Sequence, residues 1–341
     1  MTQDVPLMGM GLIGFSPQQQ EHLSNILSTR SHTLRWEVRP YLEADALWVN
    51  GERIQHVGDG LLRVPSQLPT SRAVRLNLND IDRPVAMALP LAPGLEFPHV
   101  FDAHSAESVA AVFLKFEDTL RLLTAQLAVA NVIADMDGSR TSTVYHLVNH
   151  GRLVALVNLR GDVGVASDAG AAEIEQADWH GMPAAAATIP ETFIRCSIAE
   201  VMWQFATRSP RDVLPARYRK KPIHFRHAPA VRPDRVKDTH LVLVRELSIK
   251  PQTFAELQAN TGLGDAAMAS ALAALYFVGS VTSDARRATP ASGNSSLPPR
   301  EPGEWSTSVA VPATEQDWND PAPPERDDNT VPATLRPDAS T

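Results

Sequence analysis

One handover near the N-terminus does most to limit how this chain can fold. Leu7–Phe15 is a short apolar run, the length of a buried strand, and Ser16-Pro17 follows it at once. Ser16 is a helix cap and Pro17 suits the first helical turn, so a strand passes directly into a helix. That helix, Pro17–Thr29, places Leu23, Ile26 and Leu27 on one face. Leu34–Tyr41 alternates as a second strand, and Ala46–Val49, between Asp45 and Asn50-Gly51, reads as a third. Two further strands are expected at Ala73–Leu78 and Val85–Leu91. Strand–helix alternation predicts an α/β sheet with helices packed on it. With 341 residues, 43% of them apolar, the chain can bury a sizeable core in two or three domains.

Beyond Pro98 the pattern changes. Ser105–Met136 reads as one long helix, stopped by Asp137-Gly138, with Phe113, Phe116, Leu120, Leu123, Leu127, Ala130 and Ala134 as a heptad-like stripe. Its first half is expected to pack on the sheet. Its second half either packs within the chain or projects as a linker or homodimer helix, over residues 105–136. Val144–Asn149, the His150-Gly151 turn and Arg152–Leu159 read as a hairpin, and Val163–Ala166 as the next strand. Thr192–Thr207 is expected to be an amphipathic helix through Ile194, Ile198, Met202 and Phe205, and Arg208–Lys237 a basic linker. From Arg286 to Thr341 the chain carries ten of its 27 prolines and no hydrophobic period. Such a composition cannot repay its ordering entropy, so a disordered tail is expected, with Trp305 and Trp318 as chance apolar residues or docking anchors.

Several motifs test function. Gly9-Met10-Gly11-Leu12-Ile13-Gly14 matches a dinucleotide fingerprint by letter. That chemistry needs a strand before the glycines and a helix opening at them. Here the cap lies beyond them, which places the glycines inside a buried strand. No nucleophile elbow, phosphate loop or His-Glu-x-x-His occurs. Cys196, the one cysteine, excludes a disulfide framework and reads as an inert thiol among Ile194 and Ile198. His146 with His150, and His224 with His227, lack a carboxylate at ligand spacing. No enzyme activity, cofactor or metal is therefore expected. No apolar run reaches the roughly 18 residues of a membrane span, and no basic leader opens the chain, so a cytoplasmic protein is expected.

Leu7–Phe15, the Pro17 helix and Ala44-Asp45-Ala46-Leu47-Trp48-Val49-Asn50 together resemble a response-regulator receiver domain, a flavodoxin-like fold. The resemblance implies that the third strand ends at the phospho-acceptor position, which here is Asn50. Gly14-Phe15-Ser16 stands where the family's acidic pair is expected, and Asp45 and Asp59 read as isolated surface acids. Without a carboxylate cluster nothing holds Mg²⁺ or accepts a phosphoryl group, so the resemblance implies a pseudo-receiver kept as a binding platform.

The C-terminal part resembles the winged-helix units of transcription regulators. The residues that carry this are a helix at Thr239–Leu247, a second at Thr253–Asn260 with a Thr253/Glu256 capping box, the turn Thr261-Gly262-Leu263-Gly264, a third helix at Asp265–Phe277 and a wing strand at Val278–Thr282. The third helix would be the one to read base edges, yet it contains no basic residue, which suits a protein-interaction module better.

The strongest charge feature is Arg211–Lys250, with eleven Lys and Arg against four acids, a local balance of +7 in a chain of net charge −8. Arg217, Tyr218, Arg219, Lys220, Lys221 and Arg226 are the candidate contacts for phosphates, a nucleotide ligand or DNA, with His224, Phe225 and His227 interleaved. The bland alternative is that the segment neutralises acidic neighbours.

These readings divide the chain into a pseudo-receiver-like α/β domain (1–104), a long linking helix (105–137), a small α+β domain (138–208), a basic linker (209–237), a winged-helix-like module (238–285) and a disordered Pro-rich tail (286–341). The expected function is that of a non-catalytic bacterial signalling adaptor working through protein partners. Its rival is a DNA-binding transcription regulator that uses the basic segment and Arg286-Arg287.

Overall fold

The computed structural model of the chain describes residues 6–30, 34–58, 60–65, 73–136 and 142–288. Most of the expected tail, the Asp137-Gly138 stop and Asp59 lie outside them. β1 (Leu7–Ile13) passes into α1 (Pro17–Arg30) through a reciprocal cap: Ser16 Oγ accepts the Gln19 amide, and Gln19 Oε1 accepts the Ser16 amide. β2 (Arg35–Val38) and β3 (Ala46–Asn50) then pair in parallel on either side of β1. The dinucleotide-like glycines thus lie within a strand. A Cβ on Gly11 would come 2.6 Å from Leu47 Cδ2 and 3.0 Å from Tyr41 Cα, so glycine there lets the 40–44 turn lie flat on β1.

Among the described residues no α-helix directly follows β3, only a single 3-10 turn at Gly51–Arg53. Instead β4 (Gln55–Gly58), β5 (Leu61–Val64) and β6 (Val74–Asn77) form a separate antiparallel sheet. The strand expected at Ala73–Leu78 is β6, and it belongs to that sheet rather than to the parallel one. β7 (Val85–Ala88) and β8 (Val100–Phe101) complete the main sheet in the order β2-β1-β3-β7-β8, all parallel. This is the doubly wound order of flavodoxin-like sheets. Every residue of β3 is buried because both faces are covered. Ile54, Leu62, Val64 and Leu76 of the small sheet region pack on Leu47, Val49 and Met87. Leu23 and Leu27 of α1 share the other face with Met8, Met10, Trp36 and Trp48.

The long helix is two helices, α2 (Ala106–Thr119) and α3 (Arg121–Ala134), meeting at Leu120. Thr119 Oγ1 bonds back to the Lys115 carbonyl, and an Asp118–Arg121 ion pair bridges the joint. Back-bonding of this kind bends helices. Phe113 and Phe116 of α2 stack about Trp36 and Trp48. α3 does not project: Thr124 through Ala130 are all buried, the signature of an interior helix. Along 105–136 the surface left open is the outer side of α2, with Leu114, and the two ends of α3.

β9 (Val144–Asn149), β10 (Arg152–Asn158) and β11 (Asp162–Ala166) form the expected meander, with His150 and Gly151 at φ 47° and 78° in the first turn. After α4 (Ala171–Glu175), β12 (Asp178–Met182) and β13 (Phe193–Ser197) join opposite edges, giving β12-β9-β10-β11-β13. The helix expected over Thr192–Thr207 is thus strand over Phe193–Ser197 and helix only beyond it. Ser197 caps α5 (Ile198–Arg208) by accepting the Glu200 amide, so the helix starts only there. Cys196 sits on β13.

α5 belongs to two cores. Val201, Met202 and Phe205 pack with the middle sheet and α3, while Trp203 and Ala206 pack with the C-terminal helices. The basic segment is no linker: it holds α6 (Arg217–Lys220) and β14 (His224–Phe225). α7 (Asp238–Ile249), α8 (Phe254–Thr261) and α9 (Asp265–Phe277) follow, and β15 (Val281–Thr282) pairs antiparallel with β14. The Thr253/Glu256 capping box is present. The C-terminal module therefore begins well before residue 238, and the described residues all belong to one compact unit.

Candidate functional site

The carboxyl ends of β1, β3 and β7 form the edge at which parallel sheets of this order bind ligands. Asn50 lies there. Its Nδ2 donates to the Gly14 carbonyl (3.2 Å) and its Oδ1 accepts the Glu52 amide (3.2 Å). The amide ties β1 to β3, and a carboxylate could not donate the first of these bonds. The surroundings are packed. A Cβ on Gly14 would come 2.6 Å from Val64 Cγ1, and one on Gly51 2.3 Å from the Ala88 carbonyl and 2.7 Å from Leu91 Cδ2. Among the described residues no group of three His, Cys, Asp or Glu is arranged to hold a metal.

The six basic-segment candidates do not form one open patch. Tyr218 is buried and donates to the Val281 carbonyl (3.3 Å). Burial pushes its hydroxyl pKa up. Arg219 is clamped between Asp212 (2.7 Å) and Asp265 (2.9 Å) and lies 4.6 Å from the centre of the Phe254 ring. Hydrogen bonds to Asp265 and Asp212 raise its pKa further and hold Asp265 below the usual carboxylate range. Arg217 stacks on Tyr218 and Tyr276, each ring centre at 5.4 Å. Arg226 donates to the Gly279 and Arg287 carbonyls (both 3.2 Å). Lys220 and Lys221 are exposed.

α9, the helix expected from the sequence to read base edges, is covered. Met268, Ala269 and Ala271–Leu275 are buried, Ser270 donates to the Ala206 carbonyl of α5 (3.0 Å), and Phe277 meets Phe205 edge-on at 6.4 Å. Only its first turn is open. The alanines that leave no basic residue for DNA are what let α5 approach.

The residues that sequence reasoning missed lie at the opposite end of the parallel sheet. Asp45, expected as an isolated surface acid, is buried just before β3. Its Oδ2 accepts the Gly9 amide (2.9 Å), and its Oδ1 accepts Arg208 Nη2 (2.5 Å) and Nε (3.2 Å). The two side chains are 6% and 10% exposed. Arg208 Nη1 reaches the Gln204 carbonyl and Thr207 Oγ1. The partners stand 163 positions apart, so no local pattern signals the pair.

Beside Arg208 opens a cavity of about 320 Å³. α3 contributes Leu127, Ala128 and Asn131, α4 contributes Ala171, and the end of α5 contributes Phe205 and Arg208. Leu34, ahead of β2, closes one side, and Glu117, Arg121 and Glu175 are the other charged groups of the lining. Asn131 Oδ1 accepts Arg211 Nη2 (2.9 Å).

Cys196 is half-buried, and burial raises its thiol pKa, with the Glu200 carboxylate adding to the shift. His146 Nε2 sits 3.1 Å from the Ala186 carbonyl, and His227 Nδ1 2.9 Å from that of Ala228. Neither arrangement activates a nucleophile. No helix of the described residues is long and apolar enough to cross a membrane. No protein-family model, curated protein or solved structure matches the chain.

Proposed function

We propose that this chain is a non-catalytic regulatory adaptor of bacterial signalling type, acting in the cytoplasm through protein contacts. Its receiver-like domain serves as a platform and its winged-helix-like module as an interaction unit. The observation that carries this reading is the burial of α9 against α5. A helix spent on an internal protein surface is not free to enter a DNA groove. Asn50 supports the same reading, because its side chain bonds strand ends together where the receiver family carries a phospho-acceptor. Leu241, Val242 and Ile249 of α7 remain exposed as apolar surface on the module. α5, shared by two cores, would pass a shift on one side to the other, a population-shift mechanism.

The second reading is a DNA-binding regulator, or a nucleotide sensor at the same basic segment. One observation favours it: Lys220, Lys221, Arg286 and Arg287 are exposed and form no ion pair among the described residues.

Fluorescence anisotropy of a generic duplex, titrated with the full chain over a salt series, separates the two. The adaptor reading expects no saturable binding at physiological salt. Binding with a steep salt slope that is lost in Lys220→Glu/Lys221→Glu would establish phosphate contacts and replace it with the regulator reading.

A further inference from the structure

The cavity beside Arg208 lies at the amino end of the parallel sheet, away from the carboxyl edge where such sheets bind ligands. Its volume of about 320 Å³ is at the lower end of small-molecule sites. At roughly 30 Å³ per water-sized unit, it matches a molecule of about ten non-hydrogen atoms. Leu34, Leu127, Ala128 and Phe205 supply apolar wall, which favours a ring-sized apolar body.

Charge decides the rest. Arg208 is already matched by Asp45, and Arg121 by Asp118. Glu117 and Glu175 add two more carboxylates to the lining. An anionic ligand would face the Glu117 and Glu175 carboxylates and find both guanidiniums engaged. A cationic ligand would have to leave water for an apolar wall and compete with the arginines for the same carboxylates. A neutral molecule meets neither cost.

Beside the carboxylates and the Thr124 and Ser209 hydroxyl oxygens, the lining holds two donors with hydrogens to spare. Asn131 uses its oxygen on Arg211, which leaves its Nδ2 hydrogens. Arg208 Nη2 carries two hydrogens, one of them on Asp45. These two donors can be met together by one acceptor on the ligand.

We propose that this cavity binds a small neutral molecule with a ring-sized apolar body and a carbonyl-type acceptor that Asn131 and Arg208 recognise. Its walls come from α3, α4, α5 and the segment before β2, so occupancy braces elements from both the parallel and the antiparallel sheet. The proposal is independent of the adaptor reading, because its test reads ligand binding and not partner or DNA binding.

Three probes of one shape and different charge test it: benzamide, benzoate and benzylamine. Each is titrated to millimolar concentration into the full chain with labelled leucine methyl groups, read by NMR. The proposal expects benzamide to shift the Leu34 and Leu127 methyl signals. It expects benzoate and benzylamine to bind at least about tenfold more weakly, the first meeting guanidiniums already engaged and the second leaving water to compete with the arginines. Ala128→Leu and Ala171→Phe fill the cavity from two elements. Either variant that keeps the parent's unfolding midpoint should lose at least about tenfold in benzamide affinity. Three results would overturn the proposal: no probe shifting either methyl, benzamide binding unchanged in a folded cavity-filled variant, or a charged probe binding as tightly as benzamide.

Discussion

Removing the Asp45 carboxylate strands a guanidinium inside the protein. Asp45 and Arg208 are about nine-tenths buried, and Asp45 Oδ1 accepts two of the arginine's N–H groups. In Asp45→Ala, Arg208 keeps the Gln204 carbonyl and Thr207 Oγ1 but loses its counter-charge, and the Gly9 amide loses its acceptor. Breaking a buried pair in this way costs about 3–5 kcal/mol. Arg208→Met leaves the carboxylate buried with only the Gly9 amide, a loss of the same order. The double variant removes both charges, so its loss should fall short of the sum of the singles by about 2–3 kcal/mol. Urea unfolding of all four proteins, compared at equal slope, measures this cycle. Additivity within about 0.5 kcal/mol, or a loss under about 1 kcal/mol in Asp45→Ala, would show that the two side chains do not stabilise each other as a buried pair.

Other sites give separate tests. His240 Nδ1 accepts the Lys237 amide at 3.1 Å, a bond that only the neutral ring can make, and burial lowers its pKa to about 4. The unfolded state then binds the proton first, so stability is full above about pH 6.5 and falls by up to about 3 kcal/mol on going down to pH 4, a slope that His240→Leu should flatten in acid unfolding profiles. Glu256 and Asp265, whose pKa values are lowered by bonds from Thr253 and Arg219, lose their contribution at lower pH still. Gly11→Ala should destabilise by about 1–3 kcal/mol in thermal unfolding, because its Cβ would meet Leu47 and the Tyr41 backbone. Arg219→Lys keeps the charge but cannot bridge Asp212 and Asp265 with one planar group over Phe254, so a loss of about 1 kcal/mol is expected in urea.

The parts legible in the sequence are those with local causes. Ser16-Pro17 capped α1, Thr253 and Glu256 capped α8, and His150-Gly151 turned β9 into β10, each through bonds within a few residues. The failures have physical reasons too. A continuous apolar stripe cannot show that Thr119 bonds back to Lys115 and splits a helix. Phe193–Ser197 reads as helix by apolar spacing, and becomes strand because β11 offers an edge more than 25 residues earlier. The basic segment reads as a free linker because its acidic partners, Asp212 and Asp234 apart, lie far along the chain, as Asp265 does for Arg219. The cavity and its Asp45–Arg208 wall depend on contacts across the whole body, and no residue spacing announces them.

The adaptor reading requires that α9 be spent on α5. Maleimide labelling of single cysteines, on a Cys196→Ser background under native conditions, tests it most directly. Ala266→Cys lies on the open first turn of α9 and should label within the mixing time of a free thiol. Ala273→Cys, at a fully buried position, should label only as fast as the protein unfolds. Equal, rapid labelling at both positions would mean that α9 is free, and would contradict the account.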